Sequence, residues 1–169
     1  KKYWDLHDPK KFDLPGEPER VQGAPADADH THRELGGYTG MPKDERLDAE
    51  QTRTLRHGYY ACVSYVDAQI GQVLEALSRL ELERNTIVVL WGDHGWALGE
   101  LGIWGKHTTL EESLRSPLVI RAPGMIQPGT ATPALVETID IYPTLADLCN
   151  VPIPLLEGRS FAPALLNPA

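Results

Sequence analysis

Asp93 and His94 stand side by side in this chain, with Gly92 before the pair and Gly95 after it. A carboxylate is a hard oxygen donor and an imidazole a common metal ligand, so the pair reads as half of a divalent-metal site. Lys106 comes thirteen residues after Asp93, beyond Gly95, Gly99, Gly102 and Gly105. A glycine-rich excursion that carries one compact cation toward a metal suits chemistry on an anion. By itself, an Asp-His-Gly after a strand is also an ordinary turn, in which the carboxylate accepts backbone N–H groups.

The elements around the pair favour a site. Ile87-Val88-Val89-Leu90-Trp91 is an unbroken apolar run between Asn85-Thr86 and Gly92. It predicts a fully buried strand of parallel-sheet type over 86–91, and the carboxyl ends of such strands are where ligands bind. Upstream, Leu55, Tyr59, Cys62, Val66, Ile70, Val73, Leu77 and Leu80 recur at three- and four-residue steps. That stripe predicts one amphipathic helix of about thirty residues packed on the sheet. Asp48 caps it, with Gln51 completing a capping box, and Gly58 and Gly71 inside it point to close contacts.

Downstream, Thr108 or Thr109 opens a short helix through Arg115, with Glu111 and Glu112 at its positive end. Pro117 stops it, and Leu118-Val119-Ile120 is a second buried strand. Ala134-Leu135-Val136 is a candidate short strand. Asp140 to Asn150 is a last amphipathic helix with Ile141, Leu145, Leu148 and Cys149 inward. Helix, strand, short helix, strand and helix make an α/β class, a layered sheet with flanking helices. So few strands for so many helical faces point to part of a larger sheet.

The length of 169 residues fits one domain. Residues 1–47, broken by Pro9, Pro15, Pro18, Pro25 and Pro42, read as a loop-rich excursion with short helical turns. Within it, His30, His32 and Arg33 suit either a metal or anion site or a solvated loop. Cys62 and Cys149 are too few and too distant for a disulfide framework or a zinc site. Both fall on apolar helix faces, which predicts buried thiols. No apolar run is long enough to span a bilayer, and Lys1-Lys2-Tyr3-Trp4 is not followed by the hydrophobic stretch of a signal peptide. Neither a membrane nor nucleic acid is an expected partner, the latter because the net charge is -8. An anionic polymer would need a local basic site, such as Lys106 beside a metal.

Asp93-His94-Gly95, Gly99-Glu100, Gly102 and Lys106 form the pattern D-H-G-x-x-x-G-E-x-G-x-x-x-K. It resembles the C-terminal metal-and-sulfate signature of the sulfatases, within the alkaline-phosphatase-like superfamily. The likeness extends to Arg56-His57-Gly58-Tyr59-Tyr60-Ala61-Cys62-Val63-Ser64-Tyr65-Val66-Asp67, to Ser116-Pro117-Leu118-Val119-Ile120 and to Thr138-Ile139-Asp140-Ile141-Tyr142-Pro143-Thr144-Leu145-Ala146. Asp-His-Gly-Trp-Ala-Leu-Gly-Glu and Tyr-x-Ala-x-Val-Ser-Tyr look most like the iduronate-2-sulfatase branch, with Leu101 and His107 departing from it.

The resemblance implies part of an alkaline-phosphatase-like sulfatase fold, with one calcium ion held by Asp93 and His94 among others. It implies Lys106 as the catalytic cation contacting the sulfate. Calcium favours carboxylate oxygen, and His94 is an unusual ligand for it, so a divalent metal is better specified than its identity. Trp96 and Trp104 either wall a sugar ring or pin the loop. His107 is a candidate substrate contact and proton donor beside Lys106, and Glu100 either orients Lys106 or the metal shell or is solvated.

In the family the nucleophile is a formylglycine made from Cys or Ser in C/S-x-P-x-R. Cys62 in Cys-Val-Ser-Tyr and Cys149 in Cys-Asn-Val-Pro do not match it, and the family's early acidic ligands have no counterpart. Residues 1–169 are therefore expected to be a single partial domain, the C-terminal portion of a catalytic domain. Its expected partners are a missing N-terminal half and a sulfated carbohydrate such as a 2-O-sulfated uronate. It is expected to be inactive alone, with a homodimer as one outcome of an unpaired sheet edge. The compartment implied by resemblance is periplasmic, secreted or lysosomal. Two alternatives stand beside this reading: a metal-dependent phosphodiesterase or phosphomutase of the same superfamily, and a non-catalytic binding domain.

Overall fold

The computed structural model describes residues 1–16, 23, 25, 34–43, 47–125 and 127–167. His30, His32 and Arg33 lie outside the described residues. In chain order the elements are helix α1 (Ala49–Arg79), strands β1 (Val88–Trp91), β2 (Ala97–Leu98) and β3 (Trp104–Gly105), helix α2 (Glu111–Leu114), strand β4 (Leu118–Arg121), and helices α3 (Ile141–Leu148) and α4 (Ala162–Leu166). They fall into two compact units. One joins Lys1–Arg79 to His94–Pro117, and the other joins Leu80–Asp93 to Leu118–Ala169.

In the first unit, α1 starts as its sequence dictates. The Asp48 N–H donates to Gln51 Oε1 at 3.0 Å and the Gln51 N–H to Asp48 Oδ1 at 2.8 Å, closing the predicted capping box. The helix forms where the periodicity puts it, but it does not bury the expected stripe. Tyr59, Cys62, Val66, Val73 and Leu80 are exposed, while Thr52, His57 and Ala61 are buried. The N-terminal segment decides this, since its three-residue helical turns Trp4–Leu6 and Pro9–Lys11 pack along α1. His57 Nε2–H donates to the Trp4 carbonyl at 2.8 Å, His7 Nε2 and Ser64 Oγ share a hydrogen bond at 2.8 Å, and the Phe12 and Tyr60 rings lie 4.6 Å apart. Large rings with polar handles cover more of a helix than an aliphatic stripe offers, so they choose its buried face. Gly58 meets only ordinary contact from the Trp4 ring at 3.7 Å, and Gly71 faces open space, so neither marks a close approach.

The second unit holds the two longest strands. β1 and β4 pair antiparallel, with Val88 opposite Arg121 and Trp91 opposite Leu118. The expected fully buried, parallel-type strand is therefore corrected. Two antiparallel strands alone do not cover both faces of their ladder, and Leu90 and Val119 on one face and Trp91 on the other are exposed. Ala134-Leu135-Val136 forms no strand, and Leu135 is wholly exposed.

Helix α3 turns a different face inward than its aliphatic residues suggest. Pro143, Thr144 and Ala146 are buried, Ile141, Leu145 and Leu148 are half-buried, and Cys149 is exposed. The segment ahead of α4 sets that face. Thr144 Oγ1 donates to the Asp140 carbonyl at 2.7 Å and accepts the Phe161 N–H at 2.9 Å. Gly158 lies so close to the Ile139 carbonyl that any Cβ there would overlap it. Both cysteines are thus exposed rather than buried, because each sits outside the face its helix uses. The mixed α/β class holds.

Candidate active site

Lys106 owes its place to a small hairpin. β2 and β3 pair antiparallel, with Ala97 opposite Gly105 and Leu98 opposite Trp104. One step further in the same register sets Trp96 opposite Lys106, and cross-strand neighbours of this kind make side-chain contact. The Lys106 ammonium accordingly lies 5.4 Å from the centre of the Trp96 ring, in cation–π range.

The hairpin connection is fixed from inside. The Gly99 N–H donates to the Ile103 carbonyl at 2.9 Å, and the Ile103 N–H to the Glu100 carbonyl at 2.9 Å. Trp104 and Ile103 are buried, with the Trp104 ring against Gly99, so Trp104 pins the loop. Leu101 sits at φ 53°, a left-handed conformation that costs a β-carbon-bearing residue about 1–2 kcal/mol. Gly95 starts the loop by donating its N–H to the Ser113 carbonyl at 2.7 Å, and a Cβ there would overlap the Glu112 carbonyl oxygen. This packs the segment after His94 onto α2.

Two carboxylates tie the hairpin to the rest of its unit. Glu100 takes the Leu98 N–H on one oxygen and lies 3.6 Å from Arg56 Nη2 of α1 on the other. Glu100 thus orients the loop on α1, not Lys106. Glu34 fills the second role. Its Oε1 lies 3.2 Å from Lys106 Nζ and its Oε2 3.6 Å from His107 Nε2. The Glu34 side chain is 19% exposed against 32% for Lys106 and 67% for His107, so the carboxylate sits behind the ammonium and the imidazole. Sequence reading missed both Glu34 and Arg56. Nothing marks a carboxylate in a proline- and glycine-rich stretch as the partner of a lysine seventy-two residues on.

Of the candidate residues, the structure brings Lys106 and His107 together at Glu34, with Trp96 against Lys106. His94 joins them through Trp96, with ring centres 6.4 Å apart. His94 Nδ1–H donates to the Gly95 carbonyl at 2.8 Å, which fixes the tautomer that places its lone pair on Nε2. Asp93 is an exposed residue of the second unit, after β1. A carboxylate oxygen such as that of Asp93 and an imidazole nitrogen such as that of His94 are each chemically suited to ligate a divalent metal. Among the described residues no three His, Cys, Asp or Glu side chains gather into a metal cluster.

The Lys106 hairpin lies within the D-H-G-x-x-x-G-E-x-G-x-x-x-K segment. The sulfatase family profile matches residues 14–151. This chain belongs to the sulfatase family. It is 38% identical over 141 residues to iduronate 2-sulfatase of Mus musculus, covering 69% of this chain and 24% of that protein. Choline-sulfatase of Rhizobium meliloti is 32% identical over 168 residues, covering 96% of this chain and 31% of that protein. Among solved structures, the phosphonate monoester hydrolase of Silicibacter pomeroyi matches with a TM-score of 0.77 at 33% identity, covering 97% of this chain and 33% of that one. This sulfatase chain thus spans about a quarter to a third of the length of the relatives it matches. The family is generally metal-dependent. No helix among the described residues of the chain is long and apolar enough to cross a membrane.

Proposed function

We propose that the protein carrying this chain hydrolyses sulfate esters of a carbohydrate, with a 2-O-sulfated uronate as the favoured substrate class. The observation that carries this is the family match over 14–151, with the lysine of its motif held in a fixed hairpin. The uronate is favoured because iduronate 2-sulfatase is among the relatives at 38% identity. Its two units are taken as parts of one partial catalytic domain, with 1–47 as its loop-rich excursion. The remaining length of the relatives would supply the nucleophile and the further metal ligands. An exported or lysosomal setting goes with this reading.

In the proposed site, Lys106 binds the sulfate oxygens and meets the charge that builds on them as the S–O bond breaks. A cation already fixed in place needs little reorganisation at that moment. Trp96 sets the direction of the Lys106 stem and would offer its ring to a sugar. His107, more exposed, faces the substrate side. Asp93 and His94 would hold a divalent ion, calcium by preference for the carboxylate. Such an ion, when bound, supplies Lewis-acid polarisation of the sulfuryl oxygens.

The test is sulfate against phosphate release by the longer polypeptide, supplied with calcium, compared between the wild type and Asp93→Ala. Sulfate release that disappears in the variant supports the reading and the metal role together. Phosphate release instead, or release of neither from folded and matured protein, overturns it.

A further inference from the structure

We infer that Glu34 is a positioning residue for Lys106 and limits how much negative charge the site accepts; this rests on the reading that Lys106 meets the substrate's anion. The geometry carries both parts. A lysine ammonium has three donor protons on a flexible stem. Glu34 Oε1 takes one direction at 3.2 Å and the Trp96 face confines the stem at 5.4 Å, which leaves the remaining protons a restricted set of directions. Gly105, directly before Lys106, makes room for this arrangement. A Cβ there would stand 3.1 Å from Glu34 Oε2, on a backbone at φ +125° that side chains rarely adopt.

The charge argument follows from what surrounds the carboxylate. Glu34 Oε2 is buried and accepts no hydrogen bond, with His107 Nε2 3.6 Å away. Glu34 therefore offsets the Lys106 charge from behind, and its field is poorly screened by solvent. A substrate anion on the other side of Lys106 feels the cation and the carboxylate together. A sulfate monoester carries one negative charge, whereas a phosphate monoester near neutral pH carries between one and a half and two, roughly. Each added charge is repelled by Glu34, so a neutralised Lys106 favours monoanions over dianions. The same carboxylate that aims the lysine thereby helps to choose the ester.

The test uses the active longer polypeptide and two competitive inhibitors of similar shape, inorganic sulfate as the dianion and methanesulfonate as the monoanion. Glu34→Gln is expected to lower the inhibition constant for sulfate about tenfold and that for methanesulfonate about threefold, while kcat falls about tenfold as Lys106 loses its aim. Glu34→Asp, which keeps the charge but shortens the reach, should lower kcat and leave the ratio of the two constants at the wild-type value. A merely structural Glu34 would change the yield of folded protein and not that ratio, and an unchanged ratio in Glu34→Gln overturns the inference. Lys106→Ala separates the two failures. If it leaves both constants unmoved, the functional reading fails and the inference falls with it. If it raises both while Glu34→Gln changes neither, the inference alone fails.

Discussion

Two glycine-containing loops leave the long strands of this chain, and they are built on opposite terms. The loop after β1 is crowded at its glycines. Gly95 touches the backbone of α2, and a Cβ on Gly99 would stand 2.8 Å from Pro15 and 3.0 Å from the Trp104 ring. The loop after β4 is open. Gly124 and Gly129 have nothing within 4 Å, and Leu135 is fully exposed. Composition does not separate the two; packing does. In the first loop glycine is required because backbone or ring must approach closely, and this turns a flexible composition into a rigid mount for Lys106. In the second, glycine serves only a positive φ at a turn.

The largest effect expected from this contrast is on activity. Lys106→Ala should lower kcat/KM of the longer polypeptide by about 10²–10³, the range for removing one fixed donor to developing charge. The same exchange at Arg121, the last residue of β4 before the open loop, should leave kcat/KM within about twofold, since surface changes away from special features have small effects. Steady-state kinetics on both variants checks the pair. A drop below tenfold for Lys106→Ala would remove the lysine from the chemistry.

Stability should divide the loops next. Gly95→Ala places a methyl group into the Glu112 carbonyl and strains the Gly95 N–H bond to Ser113. Overpacking against backbone costs about 3 kcal/mol. Gly129→Ala adds only the left-handed backbone penalty, about 1 kcal/mol. Denaturant midpoints of the two variants should therefore differ clearly, and equal midpoints would show that the first loop is no better packed than the second.

A smaller effect isolates the tie between hairpin and helix. Glu100→Gln keeps an acceptor for the Leu98 N–H and loses the charge beside Arg56. The pair is partly exposed, so the loss should be about 1 kcal/mol or less. The useful readout is local, an increase in hydrogen exchange at Gly99 and Ile103, whose amides close the connection. Unchanged protection there would mean that Trp104 alone holds the loop.

How much of this was legible in the sequence follows the same division between local and distant. The Asp48–Gln51 box and the extent of α1 depend on residues within a few positions of one another, and both form as the sequence predicts. The buried face of α1 depends on Trp4, His7 and Phe12, more than forty residues away, and the helical stripe gave the wrong face. The same holds at the site. The motif from Asp93 to Lys106 was readable because its spacing is short and specific. Glu34 and Arg56 were not, because ion pairs between distant segments follow from the fold and leave no period in the sequence. The antiparallel pairing of β1 was also hidden, since an apolar run of that length suits either kind of sheet.

Asp140 gives the mildest expected effect and shows a carboxylate of the opposite kind from Glu34. It is half-buried, and it works through backbone donors. Its Oδ1 accepts the Arg159 N–H at 2.8 Å and its Oδ2 the Glu137 N–H at 3.0 Å. These hydrogen bonds, the Arg159 one first, hold its carboxyl below the ordinary value of 3.8. A carboxyl depressed by folding stabilises the native state above its unfolded pKa and loses that contribution as pH falls through the folded one. Protection of the Arg159 and Glu137 amides should therefore persist at pH 3.8 and fade only below it. Asp140→Asn, which keeps one acceptor oxygen and cannot titrate, should flatten that dependence while leaving α3 intact. Following the Asp140 carboxyl by carbon NMR gives the direct check: a midpoint at or above 3.8 would mean that the two backbone bonds are not held in solution. The Glu137 and Arg159 donors would then have to find other acceptors, and the docking of Gly158 against Ile139 would rest on packing alone.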